Sequence, residues 1–284
     1  MSPQPPKLFD RRLYAQRRKR AAKNFAAHDF LHRRAMADIV DRLESVNRTF
    51  PKALFYGAGE LVSLLTPACA VGEIVHADLT PSRLNNNGQR IIFDEDAAPF
   101  ASQSYNLIVS LLTLHSSNDL IGALAQMRAQ LQPDGLLIVA LFGEQTLGSL
   151  KSALYRAETA LTGGVSGRVP PFAAVRDLGA CLQRAGFALP VADMDSVKVT
   201  YKNPARLFAD LRGMGETSVL RQRANPMTRS LLTESLTELS NANGETQFDL
   251  IYLTGWAPHE SQQKPMKPGS ARASLEEAVK KGCL

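Results

Sequence analysis

The chain has 284 residues, 44% hydrophobic and 21% charged, with a formal net charge of +6. That length buries a full core in one large domain or two small ones, and the composition excludes a disordered or fibrous protein. Cys69, Cys181 and Cys283 are odd in number and widely spaced, which excludes a disulfide framework and a cysteine zinc site and fits a reducing compartment.

Met1 to Lys7 is Pro-rich and expected to be disordered. Residues 10–27 read as a basic helix, and a second helix over 29–46 places Leu31, Ala35, Ile39 and Leu43 on one stripe. From Arg11 to Arg34 the cations are Arg11, Arg12, Arg17, Arg18, Lys19, Arg20, Lys23, Arg33 and Arg34, against Asp29 alone. Such a run meets an anionic membrane surface, an acidic partner or nucleic acid, or is a solvated helix face. No nucleic-acid-reading module accompanies it, so nucleic acid is disfavoured. His28 and His32 are four apart but lack a third ligand, so no metal site is expected.

After Pro51 strands and helices alternate. A strand over 53–56 runs into the turn Gly57-Ala58-Gly59, and residues 60–65 open a helix. A strand, a glycine turn and a helix form the usual nucleotide-binding unit of α/β folds, because glycine lets the backbone approach a ligand closely. A second strand, 73–77, ends at Asp78, about 20 residues after the glycines, where a carboxylate accepts from ribose hydroxyls. Thr80 is the expected cap of a short helix over 81–84. A third strand, 90–93, closes on Asp94-Glu95-Asp96. The apolar run 105–114 reads as the centre of a parallel sheet. A helix over 118–131 stops at the turn Gln132-Pro133-Asp134-Gly135, before a strand over 136–142. Neither apolar run approaches the ~20 residues of a membrane span.

Helices follow over 146–161 and 172–185, the latter capped by Gly186, then a strand over 191–201. Two helices, 204–214 and 226–240, precede a final strand over 247–257, and such an insertion commonly covers the active-site end of a sheet. Residues 259–284 read as a flexible tail. The predicted fold is α/β, a doubly wound Rossmann-like, mostly parallel sheet. Its parts are an N-terminal basic helical extension (1–50), a cofactor domain (51–258) with a helical insertion near 204–240, and the tail. No Gly-x-Ser-x-Gly, Walker A or His-Glu-x-x-His motif is present, so the chemistry falls to a bound cofactor.

The series Gly57-Ala58-Gly59, Asp78, Asp94-Glu95 and Ala98-Pro99-Phe100 before Tyr105-Asn106-Leu107-Ile108-Val109 resembles the class I S-adenosylmethionine-dependent methyltransferases. Within them the chain is similar to the mitochondrial complex I assembly factor group and its bacterial relatives, near the biotin-synthesis methyltransferases. That likeness rests on Phe9-Asp10-Arg11, Leu114-His115, Pro133-Asp134-Gly135, Ala157-Glu158-Thr159, Leu211 to Glu216 and Gly255-Trp256. The resemblance implies S-adenosylmethionine as cofactor, with Tyr56, Gly57, Ala58 and Gly59 facing its methionine and ribose. Asp78 and Leu79 would hold the ribose, Asp94 and Glu95 would border the adenine, and His115 and Phe142 would line the substrate cleft. It also implies a protein substrate, such as a respiratory-complex subunit, in a group linked to arginine hydroxylation.

Phe55 and Leu61 stand where that family has an acidic residue and a glycine, which predicts weakened cofactor affinity. The alternative expectation is a cofactor-impaired pseudo-enzyme that serves as an assembly chaperone. A nicotinamide oxidoreductase shares the glycine and ribose-carboxylate logic but lacks the full G-x-G-x-x-G, since position 62 is Val. The early Phe9-Asp10-Arg11 motif leads to the expectation of a bacterial cytoplasmic protein rather than one of the mitochondrial matrix.

Overall fold

The computed structural model describes residues 7–99 and 102–263. The expected disordered start (1–6), Phe100 of the resemblance motif, and the tail from residue 264, with Cys283, lie outside the described residues. The elements, in order, are α1 (Arg11–Ala21), α2 (Phe30–Glu44), β1 (Phe50–Tyr56), β2 (Val71–Asp78), β3 (Gln89–Ile92) and β4 (Tyr105–Leu111). They continue as α3 (Leu120–Gln130), β5 (Leu131–Phe142), α4 (Gly148–Thr162), α5 (Val175–Arg184), β6 (Ala188–Thr200), α6 (Ala205–Met214), α7 (Arg229–Asn241) and β7 (Glu245–Trp256). The seven strands form one sheet in the order β3-β2-β1-β4-β5-β7-β6. Every pairing from β3 to β5 is parallel, while β7 runs antiparallel to both neighbours. The ends of β1 and β4 therefore sit side by side at the centre, where a doubly wound sheet opens a ligand crevice.

The alternation of side chains along the buried strands feeds two cores. One face carries Phe55, Leu107, Val109 and Ile138 with Leu31, Ala35, Ile39 and Leu43 of α2 and Leu150 and Leu154 of α4. The other carries Leu54, Tyr56, Ile108 and Leu137 with Leu124 of α3 and Leu178 and Leu182 of α5. The predicted α2 stripe is fully buried, so α2 is part of the main core. Arg34 and Arg42 tie the outer side of α2 to Asp195 and Asp193 of β6 at 2.6 and 2.7 Å, and Tyr252 of β7 donates to Asp38 at 2.5 Å.

Several local expectations are corrected. The glycine turn leads into a short 3-10 segment, Gly59–Leu64, rather than an α-helix, so it offers no strong helix N-terminus. Thr80 does not cap the 3-10 turn Pro81–Arg83 through its side chain; Asp78 instead accepts from the Thr80 N–H. The turn at 132–135 does not separate helix from strand. It is a bulge inside β5, where pairing moves from Tyr105↔Leu131 to Leu107↔Leu136, with Asp134 at φ 62°. The first basic helix ends at Ala21, and the 3-10 stretch Ala22–Ala27 contains a break at Asn24 (φ −131°, ψ 19°). His28 and His32 do not share a helix face: His28 pairs with Asp210 at 2.7 Å, while His32 is buried within α2. Of the nine cations, Arg18 is fully buried and Arg11 half-buried, because both turn inward to carboxylates, while Arg12, Lys19, Arg20 and Lys23 stay in water.

The helices between β6 and β7 divide their roles. α6 packs beside α1, whereas α7 lies against α4. No described helix is long and apolar enough to cross a membrane.

Candidate cofactor and acceptor site

Gly57 and Gly59 turn at the end of β1 with φ 78° and 53°. A Cβ on Gly57 would stand 2.6 Å from Thr113 Cγ2 and 2.7 Å from the Leu111 carbonyl, and one on Gly59 would stand 2.6 Å from the Arg83 carbonyl. Both positions therefore require glycine for conformation and for space. Ala58 and Tyr56 are buried beside them, and the Tyr56 hydroxyl donates to the Phe93 carbonyl at 2.8 Å. Asp78 ends β2, with Leu79 half-buried after it, and Asp94 and Glu95 follow β3.

The sequence-predicted cofactor residues thus gather at one end of three adjacent strands, and each carboxylate already has a partner from α1. Arg18 donates through Nε to Asp78 Oδ1 at 3.2 Å and through Nη2 to Oδ2 at 2.5 Å, with both side chains wholly buried. Burial alone would lower the Arg18 pKa, but the Asp78 charge outweighs it and keeps the guanidinium cationic. Arg18 Nη2 also lies 3.6 Å from where a Gly57 Cβ would stand, directly over the turn. Arg11 spans Asp94 and Glu95 at 2.8 and 3.2 Å. Glu95 further accepts from Thr113 and Ser110 at 2.5 and 3.1 Å, although burial still pushes its carboxyl above the usual range.

Next to this lies a polar cluster under the α6 end. His115 Nε2 meets Glu216 Oε2 at 2.9 Å, and the Tyr14 hydroxyl reaches Glu216 Oε1 at 3.3 Å and the Leu112 carbonyl at 3.4 Å. Burial, reinforced by Glu216, raises the Tyr14 pKa, so it remains a phenol. Phe142 packs on His115 with ring centroids 4.9 Å apart, which brings together the two predicted cleft residues. The cavity among Tyr14, His115, Phe142, Phe172 and Glu216 is about 20 Å³. A second cavity of about 380 Å³ opens on the other side of α1, between Leu13, Arg17, Leu154, Phe208 and Met227, and shares Glu216 and Leu211 with the first.

Arg18, Tyr14, Glu216 and Arg83 were not singled out from sequence. A signal was present for one of them: Glu216 ends the Leu211-to-Glu216 motif. Phe55 and Leu61 pack into the core rather than the crevice, so neither side chain fills the pocket, and the expected weakening of affinity has no support in their placement. Among the described residues no cluster with metal-ligand geometry is present.

A family model for a methyltransferase domain matches residues 26–190, more than half of the chain. The chain belongs to this methyltransferase family. Among curated relatives, this methyltransferase-family chain is 34% identical to the mitochondrial arginine-hydroxylase NDUFAF5 of Homo sapiens over 299 residues, covering 98% of this chain and 85% of that protein. It is 26% identical to the malonyl-[acyl-carrier protein] O-methyltransferase of Xylella fastidiosa, covering 88% and 89%. Solved structures of like fold include a putative methyltransferase from Bacillus halodurans C-125, at TM-score 0.52 and 13% identity, covering 78% of this chain and 99% of that one. The YcgJ protein of Bacillus subtilis gives TM-score 0.53 at 13% identity, covering 80% and 99%.

Proposed function

We propose that this protein binds S-adenosylmethionine at the crevice of Gly57, Asp78, Asp94 and Glu95 and acts on a protein substrate, in the arginine-hydroxylase group. The observation that carries the cofactor reading is the set of carboxylates around a glycine turn at the ends of β1, β2 and β3. Their chemistry suits the cofactor: Asp78 with Leu79 for the ribose, Asp94 and Glu95 at the adenine, and the Tyr56-to-Gly59 backbone at the methionine. When bound, the cofactor supplies a methyl carbon made electrophilic by its sulfonium. The residues of the chain supply orientation, through His115, Phe142 and Glu216 bordering the place for an acceptor.

The protein-substrate reading rests on the near-full-length similarity to arginine-hydroxylase NDUFAF5, and the respiratory-complex setting on the resemblance to the complex I assembly group. A bacterial cytoplasmic location accords with it, and the exposed cations of α1 suit contact with an acidic partner or membrane surface. A second reading, an assembly protein without a working cofactor, is favoured by one observation: Arg18 already pairs with Asp78. Calorimetric titration of the full chain with S-adenosylmethionine decides between them. Saturable binding lost in Asp78→Ala supports the first reading, and no binding at millimolar cofactor refutes it.

A further inference from the structure

We propose that Arg18 is a built-in competitor of the cofactor, a guanidinium that holds Asp78 until S-adenosylmethionine expels it. This rests on the cofactor reading above and adds to it a residue that sets cofactor access.

The two ligands compete for the same place. Asp78 presents both oxygens to Arg18, at 3.2 and 2.5 Å, so with Thr80 N–H on Oδ1 the carboxylate has little acceptor capacity left for a ribose diol. The guanidinium stands over Gly57, where the cationic sulfonium end would lie, so occupancy by both would add steric overlap to like-charge repulsion.

A second guanidinium crowds the same cluster. Arg83 lies in the same buried cluster with no carboxylate of its own: its Nη1 lacks a hydrogen-bond partner among the described residues, and its guanidinium sits 3.2 Å from the Phe25 ring centroid. Burial, then the charge of Arg18, push its pKa down to about 9. With Arg18 in place, two guanidiniums contend for one Asp78. The route out is short, because Arg18 is one turn from the end of α1 and the break at Asn24 follows. α1 also rests its backbone on Gly215, whose Cβ, if present, would stand 3.4 Å from Arg18 Cα.

The test uses the full chain, the wild type and two variants, Arg18→Met and Arg18→Gln, whose thermal melts establish that they fold. The probes are S-adenosylmethionine and S-adenosylhomocysteine by calorimetry, with mass-spectrometric mapping of phenylglyoxal labelling at Arg18. Both variants are expected to bind at least tenfold tighter than wild type. In the wild type, labelling of Arg18 is expected to rise several-fold when S-adenosylhomocysteine is added. Equal or weaker binding by both variants, or Arg18 labelling that stays flat or falls with ligand, overturns the proposal and leaves the cofactor reading standing. Binding by none of the three proteins overturns the cofactor reading and this proposal with it. The wild-type labelling needs no variant, so a poorly folding substitution does not remove the test.

Discussion

Asp78→Asn removes one charge from a cluster in which every side chain is shut off from water. Arg18 and Asp78 are both 0% exposed, and Arg83 is 6% exposed, so the variant leaves two guanidiniums facing a neutral amide. Deleting one partner of a buried pair costs about 3–5 kcal/mol, because the remaining ion keeps its desolvation penalty without its attraction. At about 2–4 °C per kcal/mol for large domains, the melting temperature should fall by roughly 6–20 °C. The ceiling is set by α1 itself: once the penalty exceeds the energy that seats the helix, Arg18 moves to water and the loss stops growing. Arg18→Met in the same chain should restore part of the loss, since it removes one of the two guanidiniums while the buried amide and Arg83 remain. The assay is a double-mutant cycle from urea unfolding of the four proteins. Asp78→Asn within ~1 kcal/mol of wild type, as for an exposed ion pair, would refute this account of a dry, mutually dependent pair.

His32 is fully buried, its ring edge-on to Phe25 at 4.8 Å, and neither ring nitrogen has a partner among the described residues. Burial, then the charges of Arg83 and Arg18, hold its folded pKa well below the ordinary value, so the unfolded chain binds the extra proton. Stability should therefore decline as pH drops below about 6.5, by at most ~1.4 kcal/mol per unit from this group. His32→Leu should flatten that slope in urea midpoints measured between pH 5 and 8. Gly57→Ala meets Thr113 and Leu111 at 2.6 and 2.7 Å with φ +78°, whereas Gly163→Ala has φ +70° and nothing within 4 Å. Both pay the left-handed cost of about 1–2 kcal/mol, and the excess loss in Gly57→Ala, read from denaturant midpoints, measures the clash alone.

The parallel sheet was legible because its strands are short apolar runs separated by turn residues, and a buried central strand such as Tyr105–Leu111 shows no competing periodicity. Asp78, Asp94 and Glu95 were legible as candidate residues because they stand at the ends of β2 and β3, and strand ends converge in this fold. The occupation of those carboxylates was not legible. Arg11 and Arg18 look like the other cations of a basic helix, and only the docking of α1 separates the buried ones from Arg12 and Lys19. The bulge in β5 was misread for a related reason: Gln132-Pro133-Asp134-Gly135 carries real turn chemistry, with Asp134 at φ 62°, but Leu131 still pairs with Tyr105. Local propensity described the bend correctly and could not show that the ladder continues across it.

The break at Asn24 separates α2, fastened to β6 and β7 through Arg34, Arg42 and Asp38, from α1, held on the crevice through Arg11 and Arg18. A competitor on such a tether has a fixed local concentration, of order millimolar for a short link, and dilution of the protein does not weaken it. The apparent cofactor affinity is then the intrinsic value scaled by the fraction of molecules with Asp78 free. On that proposal the S-adenosylmethionine concentration for half-saturation would be set by the strength of one ion pair, and a partner that draws the exposed cations of α1 away would lower it without touching the cofactor.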